Sequence, residues 1–151
     1  MTLDAILDWF NAKSIGASAC RYIVFTGGEP TDQLRDEHVA WFKERGYKQA
    51  IETSGLHPVP AGLDFICVSP KVAEHVVKKN FKDFEIDELR YVRHDGQSIP
   101  APAVKAKHYL LSPHFDGYTP NEANMRHCVR LCLENPEWGL SIQLHKIIGV
   151  L

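Results

Sequence analysis

Four strand-like segments in this chain each stop at a short polar or glycine-bearing signature, and that repetition restricts the fold more than any other feature. Tyr22-Ile23-Val24-Phe25 runs into Thr26-Gly27-Gly28-Glu29, and a short strand Gln49–Glu52 ends in Glu52-Thr53-Ser54-Gly55. Phe65-Ile66-Cys67-Val68 ends in Ser69-Pro70-Lys71, and His108–Leu111 ends in Ser112-Pro113-His114. The continuous apolar run Phe65–Val68 is of the kind buried on both faces in a parallel sheet. Helix-like segments lie between them, so the chain reads as α/β. In such folds ligands bind beyond the C-terminal ends of the strands. The expectation is that four successive strands deliver these signatures to one rim.

The remaining elements follow from caps and periodicity. Thr2 caps a first helix with Leu3, Ile6, Leu7 and Phe10 on one face, ending near Gly16. Thr31 or Asp32 caps a second through Leu34, His38, Trp41 and Phe42, stopped by Gly46. Leu89–Val92 reads as a further strand. Thr119-Pro120-Asn121-Glu122 reads as a capping box with proline at the first helical position, opening a helix to about Glu134. Leu140, Ile142 and Leu144 alternate with Ser141, Gln143 and His145, the pattern of a strand with two different faces.

The Gly-Gly-Glu turn has two readings. Two glycines at a strand end let a ligand reach the backbone, and the next residue adds a carboxylate suited to a zwitterion. The same residues also make a tight turn before a helix. Composition narrows the partners. With 151 residues the chain is one domain, residues 1–151, able to bury roughly 70% of its unfolded surface. A net charge of −2 with interspersed signs lacks the basic footprint of a nucleic-acid binder. No apolar segment is long enough to cross a membrane, and the start has no signal-peptide core, so the expected compartment is the cytoplasm. Cys20 and Cys67 sit at or within strand-like runs, and Cys128 and Cys132 share a helix face; all four read as small core hydrophobes, because two helical thiols do not complete a metal site.

Phe25–Pro30, Ile51–Gly55, Val68–Lys71, Leu111–Gly117 and Trp138–Gly149 together resemble the 7-carboxy-7-deazaguanine synthases, radical S-adenosylmethionine enzymes of queuosine biosynthesis. The resemblance runs from Thr2 to Leu151, and Leu140–Lys146 is its most family-specific part. It implies a partial β/α barrel, a [4Fe–4S] cluster, S-adenosylmethionine, Mg²⁺, a homodimer, and conversion of 6-carboxy-5,6,7,8-tetrahydropterin into 7-carboxy-7-deazaguanine. By the same resemblance, Gly27, Gly28 and Glu29 hold the amino group of S-adenosylmethionine. Ser69, Pro70 and Lys71 make a second contact with it, and Ser112, Pro113, His114 and Phe115 a third, around the adenosine. Thr26, His145 and the Leu151 carboxylate match substrate-contacting positions.

One departure stands out. The family's first strand and its loop of three cluster cysteines have no counterpart in the sequence as given, nor has the threonine that resembles its Mg²⁺ ligand. The chain alone is therefore expected not to turn over. Strand Tyr22–Phe25 is expected to lie at an open sheet edge and to favour self-association. Two other readings share these features: a non-catalytic binding module that kept the barrel, and an activase of a glycyl-radical enzyme, which also carries Gly-Gly-Glu-Pro. The ending Gln143-Leu144-His145-Lys146 speaks against the activase.

Overall fold

The computed structural model describes residues 2–13 and 21–149. Six strands form one sheet in the order β1-β2-β3-β4-β5-β6: Tyr22–Phe25, Lys48–Thr53, Phe65–Val68, Ile86–Arg93, Ala106–Pro113 and Trp138–Leu140. Every neighbouring pair is parallel. A parallel neighbour requires a crossover, usually one that carries a helix. Three of the five crossovers do so, with α2 (Asp36–Glu44) between β1 and β2, α3 (Glu74–Phe81) between β3 and β4, and α4 (Glu122–Glu134) between β5 and β6; α1 (Leu3–Lys13) precedes β1 and a short α5 (Leu144–Ile148) follows β6. Strands added in sequence order without closure make a partial barrel, and β1 is one of its two edges among the described residues.

Alternate residues of each strand serve different faces. Val68, Leu89 and Leu111 point toward the helices, where they meet Val77 and Phe81 of α3 and Cys128 of α4 in the main core. Leu34, Val39 and Ile51 form a smaller core under α2. Cys67 and Cys128 are buried and free, and Cys132 is partly buried, so the described cysteines act as apolar groups. Cys20 lies outside the described residues, as does the expected end of α1 at Gly16. In α1 itself Thr2 Oγ1 accepts from the Ala5 amide at 3.3 Å, as its capping role requires.

Several expected boundaries move, each for a local reason. Neither Thr31 nor Asp32 caps α2. Pro30–Asp32 forms a 3-10 turn, and the Thr31 hydroxyl donates to Glu29 at 2.7 Å. The chain re-extends at Arg35, whose amide donates to Nδ1 of His38 at 3.1 Å and whose guanidinium donates to the carbonyls of Thr31, Asp32 and Leu34. Thr119 is not a cap either. It closes a two-bond bridge with Asp116, and Asn121 caps α4 by accepting from the Asn124 amide at 3.1 Å. The alternation after Leu140 is not a strand. The Ser141 amide makes the last ladder-like bond, to the Leu111 carbonyl at 2.8 Å, and the chain then turns into α5, which places His145 on a helix. The four signatures close β1, β2, β3 and β5, because the longer β4 intervenes before the last.

Candidate functional site

A cleft of about 180 Å³ opens at the C-terminal strand ends, on the face of the sheet away from the helices. Thr26, Gly27 and Gly28 enter it from β1, Ser69 and Lys71 from β3, and Ser112 from β5. These are six of the residues singled out from sequence, brought together from three strand ends. Gly27 has φ +85°, a conformation that favours glycine, and a Cβ on either Gly27 or Gly28 would meet nothing within 4 Å. The space beside both backbones is therefore open to a ligand. Lys71 is exposed and has no hydrogen-bond or ion-pair partner among the described residues.

Glu29 sits behind this rim rather than on it. One carboxylate oxygen accepts from the hydroxyl and amide of Thr31 and from the Thr53 hydroxyl at 2.6 Å; the other accepts from the Ser54 amide at 2.9 Å and from the Ser54 hydroxyl. Partial burial raises its pKa, but the hydrogen bonds from Ser54, Thr31 and Thr53 outweigh that and hold it at about 2. The carboxylate thus ties the Gly-Gly turn after β1 to the end of β2. Gly55, next in that turn, has φ +81°, and a Cβ there would come within 3.1 Å of Val68 and 3.2 Å of Val77.

The other expected site residues stand around the cleft rather than along its lining. His114 stacks on His94 with ring centroids 4.2 Å apart, and Phe115 is buried beneath Lys146, whose Nζ lies 5.4 Å from its ring. Pro113 is the last residue of β5, and Pro70 follows the end of β3 by two residues. His145 is exposed on α5, one turn from the rim, where Gln143 reaches the lining instead. Leu151 lies outside the described residues. A larger groove of about 710 Å³, between Leu34–Glu37 and Pro58–Pro60, is wide open and receives none of the expected residues.

Arg90, Val92 and Gln143 also line the cleft, although the sequence pattern assigned none of them to a site, and Glu52 joins them from the signature that closes β2. Glu52 and Arg90 are charges inside strands, where a local reading sees only a polar break. Register brings them together: Glu52 pairs with Cys67 and Cys67 with Glu88, so the three form one row across β2, β3 and β4. Arg90 follows two residues after Glu88 on the same face and reaches Glu88 at 2.8 Å and Glu52 at 3.4 Å. Cys67 is the middle of this row, and burial pushes its thiol up to about 12 despite the nearby Arg90 charge.

The iron–sulfur cluster does not fit the described residues. No group of three or more histidine, cysteine, aspartate or glutamate side chains converges among them. Cys67 faces the cleft, Cys128 belongs to the core on the opposite face, and burial raises the Cys128 thiol to about 11, whereas cluster ligation needs thiolates. S-adenosylmethionine is a different matter, because an open glycine backbone, an unpaired ammonium, hydroxyls and a carboxylate match the groups of a zwitterionic nucleoside. No helix among the described residues is long and apolar enough to cross a membrane.

No family model matches the sequence. The chain is 38% identical over 132 residues to the 7-carboxy-7-deazaguanine synthase of Bordetella pertussis, a match covering 87% of this chain and 60% of that protein. It is 34% identical over 149 residues to the synthase of Bradyrhizobium diazoefficiens, covering 96% and 67%. The chain thus spans three fifths to two thirds of the length of these curated relatives. The crystal structure of QueE from Escherichia coli superposes with a TM-score of 0.64 at 19% identity, over 95% of this chain and 64% of that one. That likeness shows the fold to be a partial β/α barrel of the radical S-adenosylmethionine type, and the named relatives do not favour the activase. By sequence and by fold, this chain belongs to the 7-carboxy-7-deazaguanine synthase family.

Proposed function

We propose that the chain forms the S-adenosylmethionine- and pterin-binding part of a 7-carboxy-7-deazaguanine synthase, acting on 6-carboxy-5,6,7,8-tetrahydropterin. The observation that carries this reading is the convergence of Gly27, Gly28, Ser69, Lys71 and Ser112 on one cleft that also holds a carboxylate. In it, the backbone at Gly27 and Gly28 takes the amino group, with Glu29 holding that turn in shape. The Lys71 ammonium and Ser69 hydroxyl take carboxylate or ribose oxygens, because a charged donor pairs best with an anionic acceptor. Ser112, Pro113, His114 and Phe115 border the adenosine. Thr26, His145 and Leu151 serve the pterin.

A [4Fe–4S] cluster would supply the electron that cleaves the cofactor, and Mg²⁺ completes the family's set. The described cysteines do not fit the cluster. The same reading makes the protein cytoplasmic, free of nucleic-acid and membrane partners, and self-associating through the β1 edge. Calorimetry with S-adenosylmethionine tests the site. Lys71→Ala should weaken binding about tenfold or more, the loss of a charged hydrogen bond being worth about 1.5–3 kcal/mol. Tight binding indifferent to that change would remove the cleft from consideration. Sedimentation of the wild type against Val24→Lys tests the edge: the charge should reduce association, and equal masses at equal concentration would refute it.

A further inference from the structure

The cleft contains one cation that does not behave as a free charge. Arg90 stands on β4 with its two terminal nitrogens directed to Glu88 at 2.8 Å and Glu52 at 3.4 Å, while its Nε is buried without a partner. Burial works against the charged guanidinium, but Cys67, Glu88 and Glu52 together raise its pKa above the usual arginine value. A guanidinium already engaged by two carboxylates has no spare charge for an incoming anion. Lys71, without such partners, is the cleft's available cation.

Glu52 is differently placed. Its side chain is 46% exposed, against 21% for Glu88 and 25% for Arg90. Arg90 holds its Oε1, and its Oε2 has no hydrogen-bond partner among the described residues. It lines the cleft together with Ser54, which belongs to the turn that Glu29 ties to β1. A glutamate on a strand has free torsions and samples several directions unless something fixes one oxygen. Arg90, itself fixed by Glu88, supplies that anchor, and the planar fork of a guanidinium sets direction as well as charge.

We infer that Arg90 is a positioning residue, which holds Glu52 so that its second carboxylate oxygen accepts a hydrogen bond from a hydroxyl or ammonium of the ligand in the cleft. The inference rests on the ligand reading given above. It places Glu52 in contact with the ligand and Arg90 one step behind, acting through Glu52 rather than on the ligand.

A double-mutant cycle read by calorimetry tests it, with S-adenosylmethionine and adenosine as probes and the full chain as the protein. Glu52→Gln and Arg90→Ala should each weaken S-adenosylmethionine binding about tenfold, and the double variant should be no weaker than either single one, because both remove the same contact. Arg90→Lys keeps the charge without the fork and should recover only part of the loss. Glu88→Gln leaves Arg90 in place but loosens it, so a smaller loss of about threefold is expected and covers the case in which Arg90→Ala does not fold. A Glu52→Gln effect seen with both probes assigns the donor to the sugar hydroxyls; an effect with S-adenosylmethionine alone assigns it to the ammonium. Additive losses in the double variant, or a loss from Arg90→Ala with none from Glu52→Gln, would overturn the inference while leaving the ligand reading intact. Failure of the wild-type chain to bind S-adenosylmethionine would overturn the ligand reading itself, and the inference with it.

Discussion

Removing the charge of Glu29 should cost stability in a way that depends on pH. In the folded protein its carboxylate falls from the ordinary 4.5 to about 2, because five donors from Thr31, Thr53 and Ser54 outweigh the effect of partial burial. Each pKa unit corresponds to about 1.4 kcal/mol, so the shift sets a ceiling of about 3 kcal/mol. Solvent screening of a carboxylate that is only partly buried reduces this to about 1–2 kcal/mol. The sign follows from the lowered value: the contribution is complete above the unfolded carboxyl's pKa and disappears as pH falls toward the folded one. Glu29→Gln should therefore lower unfolding stability by about 1–2 kcal/mol at pH 7, and more than half of the difference should be gone by pH 3. Urea unfolding of both proteins at pH 7, 5, 4 and 3, followed by tryptophan fluorescence, gives the comparison. A difference that stays constant across that range would show that the carboxylate contributes as a shape and not as a charge.

Two further outcomes follow from positions described above. Gly55→Ala should destabilise by about 1–3 kcal/mol in thermal or urea unfolding, because it combines a left-handed backbone at φ +81° with a methyl pressed against Val68 and Val77. A neutral effect would mean that those two valines shift freely. Cys67 and Cys128, whose thiols burial raises to about 12 and about 11, should resist iodoacetamide at pH 8 in the folded protein and react once it is unfolded, as followed by mass spectrometry. Rapid native alkylation of Cys67 would show the cleft floor to be open.

What the sequence made legible was whatever is written locally. Tyr22–Phe25 and Phe65–Val68 are strands with the expected bounds, since each is an unbroken apolar run closed by a turn signature. The helix starts were misread where a side chain that usually caps had other work. Thr31 is spent on Glu29, and Thr119 sits in a bridge with Asp116, so Arg35 and Asn121 open the helices instead. Helix α3 was not marked in the sequence: it starts after Ala73 with no side-chain cap, and only Val77 and Phe81, four residues apart, are buried on it. The tail alternated like a strand, yet β5 ends at Pro113, which has no amide to continue a ladder. At the site, glycines and hydroxyls at strand ends were visible because they break the apolar pattern. Arg90 was not, and Glu52 was visible only as the first residue of the signature closing β2, because their partnership exists only across three strands in register.

The sheet's division of labour also has an evolutionary side. Leu89 and Tyr91 of β4 belong to the core, while their neighbour Arg90 lines the cleft and Glu88 pairs with it. The same holds where Val68 follows Cys67 and where Leu111 precedes Ser112. One short stretch of gene therefore encodes two nearly independent inheritances, read at alternate codons. A lineage could rewrite the cleft-facing codons for another ligand and leave the core-facing ones untouched. Deep mutational scanning of this chain would display that history as a two-residue beat in tolerance along β3, β4 and β5, with selection for folding heard on one beat and selection for ligand on the other.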